Sequence, residues 1–251
     1  MRRIQSTLAA ASLFMIAGVG IAPARAGADP VAHLSWDDCA ASGNRTRTFA
    51  CNTNLGSEAL IVSFVPPAGT NAFTGIEARL RFWPPAASLP AWWALSSGGC
   101  RFNSLKASPF PSGTSACASP WTSQVFWTVE LNAATQELRA VVDLNKGQEH
   151  GLDSAIEYHG VRIVLDHAKS WGGGACEGCA MPVGIYLSRL ALLLGPPDPT
   201  YEYAFPEVQY VNWQCDGTPV LTAGAVTGWS FPNCATPTLS PTWGRIHALY
   251  R

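Results

Sequence analysis

Cys176-Glu177-Gly178-Cys179 is a C-x-x-C pair, the spacing of redox dithiols and of half of many zinc sites. A redox pair needs a thiolate held at a helix N-terminus. Here Gly172-Gly173-Gly174 precede the pair, and Ala180-Met181-Pro182 and the alternating run GIYLSRLALLL follow it. The pair is therefore expected on a turn between two strands. Zinc needs a second close ligand pair, and no second C-x-x-C or H-x₃₋₅-H is present. A disulfide that pins a wide, glycine-rich turn is the remaining reading.

Acids and imidazoles bunch in the middle of the chain: Glu149-His150, Asp153, Glu157, His159 and Asp166-His167. A hydrolase could draw an acid and a base from residues 149–167, and a carboxylate pair could cleave a glycoside if Glu149, Glu157 and Asp166 converged in one cleft. The structural alternative is a solvated loop followed by the outward face of a strand. In a regular strand His159 and Asp166 differ in parity and point to opposite faces. No G-x-S-x-G, H-E-x-x-H, P-loop or EF-hand pattern occurs, so no catalytic residue, cofactor or metal is assigned.

Tryptophan is the more distinctive residue, with ten in the chain. Trp127 lies inside a strand pattern and is expected in the core. Trp92-Trp93, in SLPAWWALSSGGCR, are adjacent, and neighbours on an extended chain point opposite ways. One indole then fills the core while the other offers a stacking face to a sugar or a partner. The alternative buries both, one of them under a Cys100–Cys117 loop.

These groups sit in a chain that carries export signals. MRRIQSTLAAASLFMIAGVGIAPARA has a basic start at Arg2 and Arg3, an apolar stretch from Leu8 to Ile21, and Ala24-Arg25-Ala26 as a cleavage box. Residues 1–26 read as a signal peptide, and the mature chain as secreted, periplasmic or at the cell surface. No later apolar run is long enough to span a bilayer. All eight cysteines (Cys39, Cys51, Cys100, Cys117, Cys176, Cys179, Cys215 and Cys234) lie in the mature part, and an even count in an exported chain implies disulfides. Sequence proximity suggests Cys39–Cys51, Cys100–Cys117, Cys176–Cys179 and Cys215–Cys234, with a long-range bridge as the competing idea. Lys106, Lys146 and Lys169 are the only lysines, and no basic stripe supports a nucleic-acid partner. Asn44-Arg45-Thr46 matches a glycosylation sequon.

Period-two alternation dominates the body. Ile76, Ala78, Leu80 and Phe82 share one face of a run whose other face holds Glu77, Arg79 and Arg81. Val125–Leu131 and Leu138–Leu144 form a hairpin pattern around Asn132–Thr135. Tyr158–Ala168 alternates through Val161, Ile163 and Leu165. Pro182–Leu194 alternates and then turns continuously apolar, which implies burial on both faces. Residues 27–195 thus read as an all-β, disulfide-stapled antiparallel β-sandwich of jelly-roll type. Residues 196–251 read as an irregular Pro/Gly-rich C-terminal extension with its own disulfide. Its end, TWGRIHALYR, has the spacing of a short docking helix or an edge strand.

The WDxC start (Trp36–Cys39), LPxWW…GGCR (Leu89–Arg101), CxGC before an alternating strand (Cys176–Leu190) and the terminal TWGxxxxLYR (Thr242–Arg251) together resemble a group of bacterial secreted proteins. The resemblance implies export and a shared β fold, and supplies no catalytic residues. The strand GIYLSRLAL is also similar in pattern to the last strands of galactose-binding-like and carbohydrate-binding jelly rolls. The expected function is a secreted, non-enzymatic binding module for a polysaccharide or cell-surface component, with Trp92 or Trp93 as the contact. A hydrolase, or an envelope or assembly protein that docks through its tail, are the alternatives. The sequence leaves the oligomeric state open.

Overall fold

The computed structural model describes residues 29–40, 42–84, 87–112, 116–122, 124–196, 200–205, 207–232 and 234. The expected signal peptide and the TWGRIHALYR tail lie outside the described residues. Along the chain run β1 (Val31–Trp36), β2 (Thr46–Arg47), β3 (Ser57–Val65), β4 (Phe73–Trp83), a single 3-10 turn (Ala91–Trp93), β5 (Leu105–Ser108), β6 (Val125–Asn132) and β7 (Glu137–Leu144). Then come β8 (Tyr158–Asp166), β9 (Val183–Leu194), β10 (Thr200–Glu202), β11 (Tyr210–Trp213), β12 (Thr218–Thr222) and β13 (Ala225–Ser230).

The smaller sheet has the order β1-β3-β8-β5 and the larger β2-β11-β9-β4-β7-β6. β9 pairs with β4 along one side, and along the other with β11 and then β10. All these pairings are antiparallel except β2 with β11. The result is an antiparallel β-sandwich of jelly-roll type. The proline-punctuated segment after Leu194 does not all stay irregular: β10 and β11 extend the large sheet, and Tyr203 donates its hydroxyl to the Val65 carbonyl at 2.8 Å.

Alternation explains which side chains fill the space between the sheets. Ile76, Ala78, Leu80 and Phe82 of β4 are buried there, facing Leu60, Val62 and Phe64 of β3 and Val161, Ile163 and Leu165 of β8. The continuously apolar part of β9 is buried on both faces, at Leu190, Ala191 and Leu192. β8 carries a bulge at Gly160, where the register slips between Val62 and Ser63 of β3. A Cβ at Gly160 would come within 2.9 Å of the Val62 carbonyl oxygen, so the close approach requires glycine. The slip reverses the parity of His159, which therefore shares the outer face with Arg162 and not the core face with Val161.

The cysteines pair across the fold, as Cys39–Cys117, Cys51–Cys179, Cys100–Cys176 and Cys215–Cys234. Of the pairs suggested by proximity, Cys215–Cys234 forms and the other three do not. Cys176 and Cys179 sit on the turn before β9, as expected, yet each bonds to a different loop. The turn is a double staple that ties residues near Cys51 and Cys100 to one end of the sandwich. Proximity misled because strands adjacent in space bring distant loops to the same end of the sandwich.

Cys51–Cys179 and Cys100–Cys176 close loops of 128 and 76 residues, so each constrains the unfolded chain strongly. Replacing either pair with serines is expected to lower unfolding free energy by about 2–5 kcal/mol, measured by denaturant titration. Peptide mapping without reduction should recover the two long-range links. A Cys176–Cys179 link would contradict this connectivity.

Candidate functional site

Trp92 and Trp93 lie on the 3-10 turn after Pro90. Successive side chains on such a turn diverge by about 120°, against about 180° on a strand, so both indoles can face inward. Both are fully buried. Trp92 stacks on Trp213 with ring centres 4.9 Å apart, and Trp93 meets both edge-on. The Trp92 Nε1 donates to Ser170 Oγ at 2.8 Å. The Arg101 guanidinium lies 3.5 Å from the centre of the Trp92 ring and donates to the carbonyls of Trp92, Ala168 and Asp166. Burial lowers the Arg101 pKa to about 10, with Asp166 opposing the shift. Neither Trp92 nor Trp93 has a face open to a sugar ring, and the contact expected of them is withdrawn. Trp127, expected in the core, is instead 45% exposed, because β6 ends the large sheet.

The acids and imidazoles of residues 149–167 are dispersed. Glu157 precedes β8 and accepts from Ser63 Oγ at 2.6 Å. Asp166 closes the same strand nine residues later, about 30 Å away on an extended chain. Glu149 is exposed and accepts from the Gly147 amide. The three carboxylates do not share a cleft. His167 is buried with Nδ1 2.8 Å from the Leu55 carbonyl oxygen and Nε2 2.9 Å from Glu58 Oε1. The carbonyl can only accept, so Nδ1 carries a proton. Phe49 stacks on the ring at 3.7 Å, and Arg47 donates to the other oxygen of Glu58. This unit buries His167 and Glu58 and joins β2 to β3, with Arg47 and Phe49 at its partly exposed rim.

His159 is buried, and neither ring nitrogen has a hydrogen-bond partner among the described residues. Burial is the main cause that lowers its pKa to about 4; the Pro109 and His159 backbones lean the other way without meeting hydrogen-bond geometry. It borders a space of about 10 Å³ with Asp37, Asp38 and Arg162, the size of one water.

The open polar site lies on the outer face of the large sheet. Glu77 of β4 accepts from Arg79 at 2.7 Å, Arg139 of β7 at 2.8 Å and Arg189 of β9 at 2.6 Å. Arg81 pairs with Glu137 at 3.1 Å, and Arg189 also reaches Glu202 at 2.5 Å. The guanidinium of Arg139, foremost, holds the Glu77 carboxyl down at about 2. Glu130 of β6, which faces Arg139 across the strands, and Asp143 of β7 also act on Arg139, so the row is a mixed-charge network of four guanidiniums and five carboxylates. The pattern Glu77-Arg79-Arg81 marked this row in the sequence.

What the sequence did not reveal is the hairpin β12–β13 that folds over one side of the row. Trp229 of β13 rests on Gly184 of β9, where a Cβ would fall 2.2 Å from the indole. Its Nε1 donates to Asn212 Oδ1 at 3.2 Å, and Tyr210 meets it edge-on. The hairpin turn and the sheet then enclose a groove of about 400 Å³. Arg79, Arg81, Arg189, Tyr186 and the carboxylate of Glu137 line its sheet side, and Phe205 and Val226 its apolar side. Such a groove can grip an anion with planar guanidinium forks while an apolar wall takes the uncharged part of the ligand.

Two pH dependences follow. Glu77 contributes its full stabilisation above about 4.5 and loses it as pH falls through about 2. For His159 the unfolded ring takes up a proton near 6.5 and the folded ring only near 4. Stability should fall between those values, by about 3 kcal/mol from this residue. His159→Phe is expected to flatten that part of a stability–pH curve. An unchanged slope would contradict the assignment.

No family model matches the chain, and no curated protein matches it. Among solved structures, a cohesin module from a family 33 glycoside hydrolase of Clostridium perfringens ATCC13124 aligns with 74% of this chain and 98% of its own, at 11% identity and a TM-score of 0.39. A type II cohesin domain from the cellulosome of Acetivibrio cellulolyticus aligns with 72% of this chain and 94% of its own, at 9% identity and a TM-score of 0.37. The major pilin subunit BcpA of Bacillus cereus aligns with 74% of this chain and 40% of its own, at 10% identity and a TM-score of 0.31. At these scores the likeness assigns neither a family nor a partner.

Proposed function

We propose that the chain is an exported, non-enzymatic binding module whose ligand is an acidic polysaccharide, held in the groove between the large sheet and the β12–β13 hairpin. The observation that carries this reading is the three guanidiniums of Arg79, Arg81 and Arg189, against the single lining carboxylate of Glu137, along a groove of about 400 Å³ with an apolar far wall. Uronate carboxylates suit the guanidinium forks, and the apolar face of a sugar ring suits Phe205. Arg81 is the leading contact: its side chain is 49% exposed, the most open of the ion-paired arginines. Export is supported by the leader-like residues 1–26 and by four disulfides. The hydrolase reading loses its support with the separation of Glu157 from Asp166.

The test is binding of oxidised protein to polygalacturonate, with an uncharged glucan as comparator. The reading expects retention by the polyuronate alone, weakening with added salt. Arg81→Gln should cost about tenfold or more in affinity. Gly184→Val should displace Trp229 and weaken binding while the sandwich stays folded. Equal binding to both polymers, or full affinity in Arg81→Gln, would overturn the proposal.

A further inference from the structure

β6 is the end strand of the large sheet, and among the described residues it pairs with β7 alone. Its register with β7 runs from Val125↔Leu144 to Asn132↔Glu137 without a slip. Just beyond the strand, the Asn145 amide donates to the Gln124 carbonyl at 3.2 Å. The alternation of an antiparallel ladder then turns the N–H and C=O groups of Val125, Trp127, Val129 and Leu131 away from β7. These donors and acceptors are placed to receive another strand.

The other strand edges of the two sandwich sheets are short, guarded or covered. β5 has four residues, contains Lys106 and leads into Pro109. β2 has two residues and β10 three. β1 lies against β11. β6 has eight residues, with no lysine, proline or bulge to discourage pairing. Aromatic surface is exposed on both of its faces. Phe126 is 70% exposed, and Trp127 meets Phe110 edge-on at 6.3 Å where the two sheets part.

We propose that β6 pairs antiparallel with β6 of a second copy, joining two large sheets into one. A two-fold axis at Thr128 matches the outward-facing backbone groups of the two strands. It places Trp127 opposite Val129 and Val125 opposite Leu131 on the inner face, aromatic–β-branched and apolar pairs of the kind that stabilise sheets. On the outer face Thr128 meets Thr128, and Phe126 meets Glu130. The strand's one charge, Glu130, never faces its own copy. Self-complementarity of the whole strand is what selects a second copy as the occupant.

Sedimentation velocity on the oxidised protein over a micromolar concentration series is expected to show a dimer. Trp127→Lys should shift it to a monomer that still unfolds in one cooperative transition. Thr128→Cys supplies a readout that needs no dissociation. In this register the two Thr128 residues form a non-hydrogen-bonded pair, whose separation of about 4.5 Å between Cα atoms suits a disulfide. Thr128→Cys should therefore cross-link symmetrically, and Phe126→Cys should not. A monomer throughout the series, or a dimer that ignores Trp127→Lys and leaves Thr128→Cys uncrosslinked, would overturn the proposal.

Discussion

Trp213 stacks on Trp92, meets Trp93 edge-on and tilts against Trp36, and its Nε1 donates to the Cys179 carbonyl at 2.8 Å. Trp36 in turn donates to the Asn212 carbonyl at 2.9 Å. These four indoles come from β1, the 3-10 turn and β11, so one packed cluster fixes three distant segments at one end of the sandwich. Truncating a buried indole of this kind costs about 3–5 kcal/mol. Arg101 lies over Trp92 with its donors spent on loop carbonyls, and the Cys51–Cys179 and Cys100–Cys176 bridges close the loops around the cluster. β11 carries Asn212 and Tyr210, which receive Trp229, and Trp229 holds the hairpin over the arginine row.

The division of labour among tryptophans follows from that. Those that look most like sugar platforms in the sequence are structural, while Trp229 shapes the groove and Trp127 is exposed at the sheet edge. The proposed binding falls to charged side chains on the outer face. Glu77 arranges them: one carboxylate collects three guanidiniums, orders them, and leaves part of their fork geometry directed at solvent. Ordered arginines lose less conformational freedom on meeting a ligand than free ones.

The regular parts of the fold were legible because local alternation decides them. The inward row of β4 and its outward Glu77-Arg79-Arg81 row, the β6–β7 hairpin and the burial of Leu190, Ala191 and Leu192 on both faces of β9 follow from the sequence pattern, while Leu193 and Leu194 at its end are half-buried. The misreadings came from features that alternation does not encode. Alternation puts one of Trp92 and Trp93 outside; the alternative that buries both is the one found, because Pro90 opens a 3-10 turn that puts both inside. The parity of His159 was read for a regular strand, and the Gly160 bulge reverses it. Disulfide pairing is a property of topology, since the turn at Cys176 and Cys179 meets loops 76 and 128 residues away. The groove depended on a hairpin folding back from residues 218–230, for which Gly184 was the only trace: a glycine in a buried strand marks a close approach.

The most direct measurement is hydrogen–deuterium exchange of the oxidised protein with and without polygalacturonate. The account predicts slowed exchange over residues 186–189 and at the hairpin turn, residues 224–226, with the loop around Trp92 unchanged. Protection centred on the Trp92 loop, or no protection along the arginine row at saturating polymer, would contradict it.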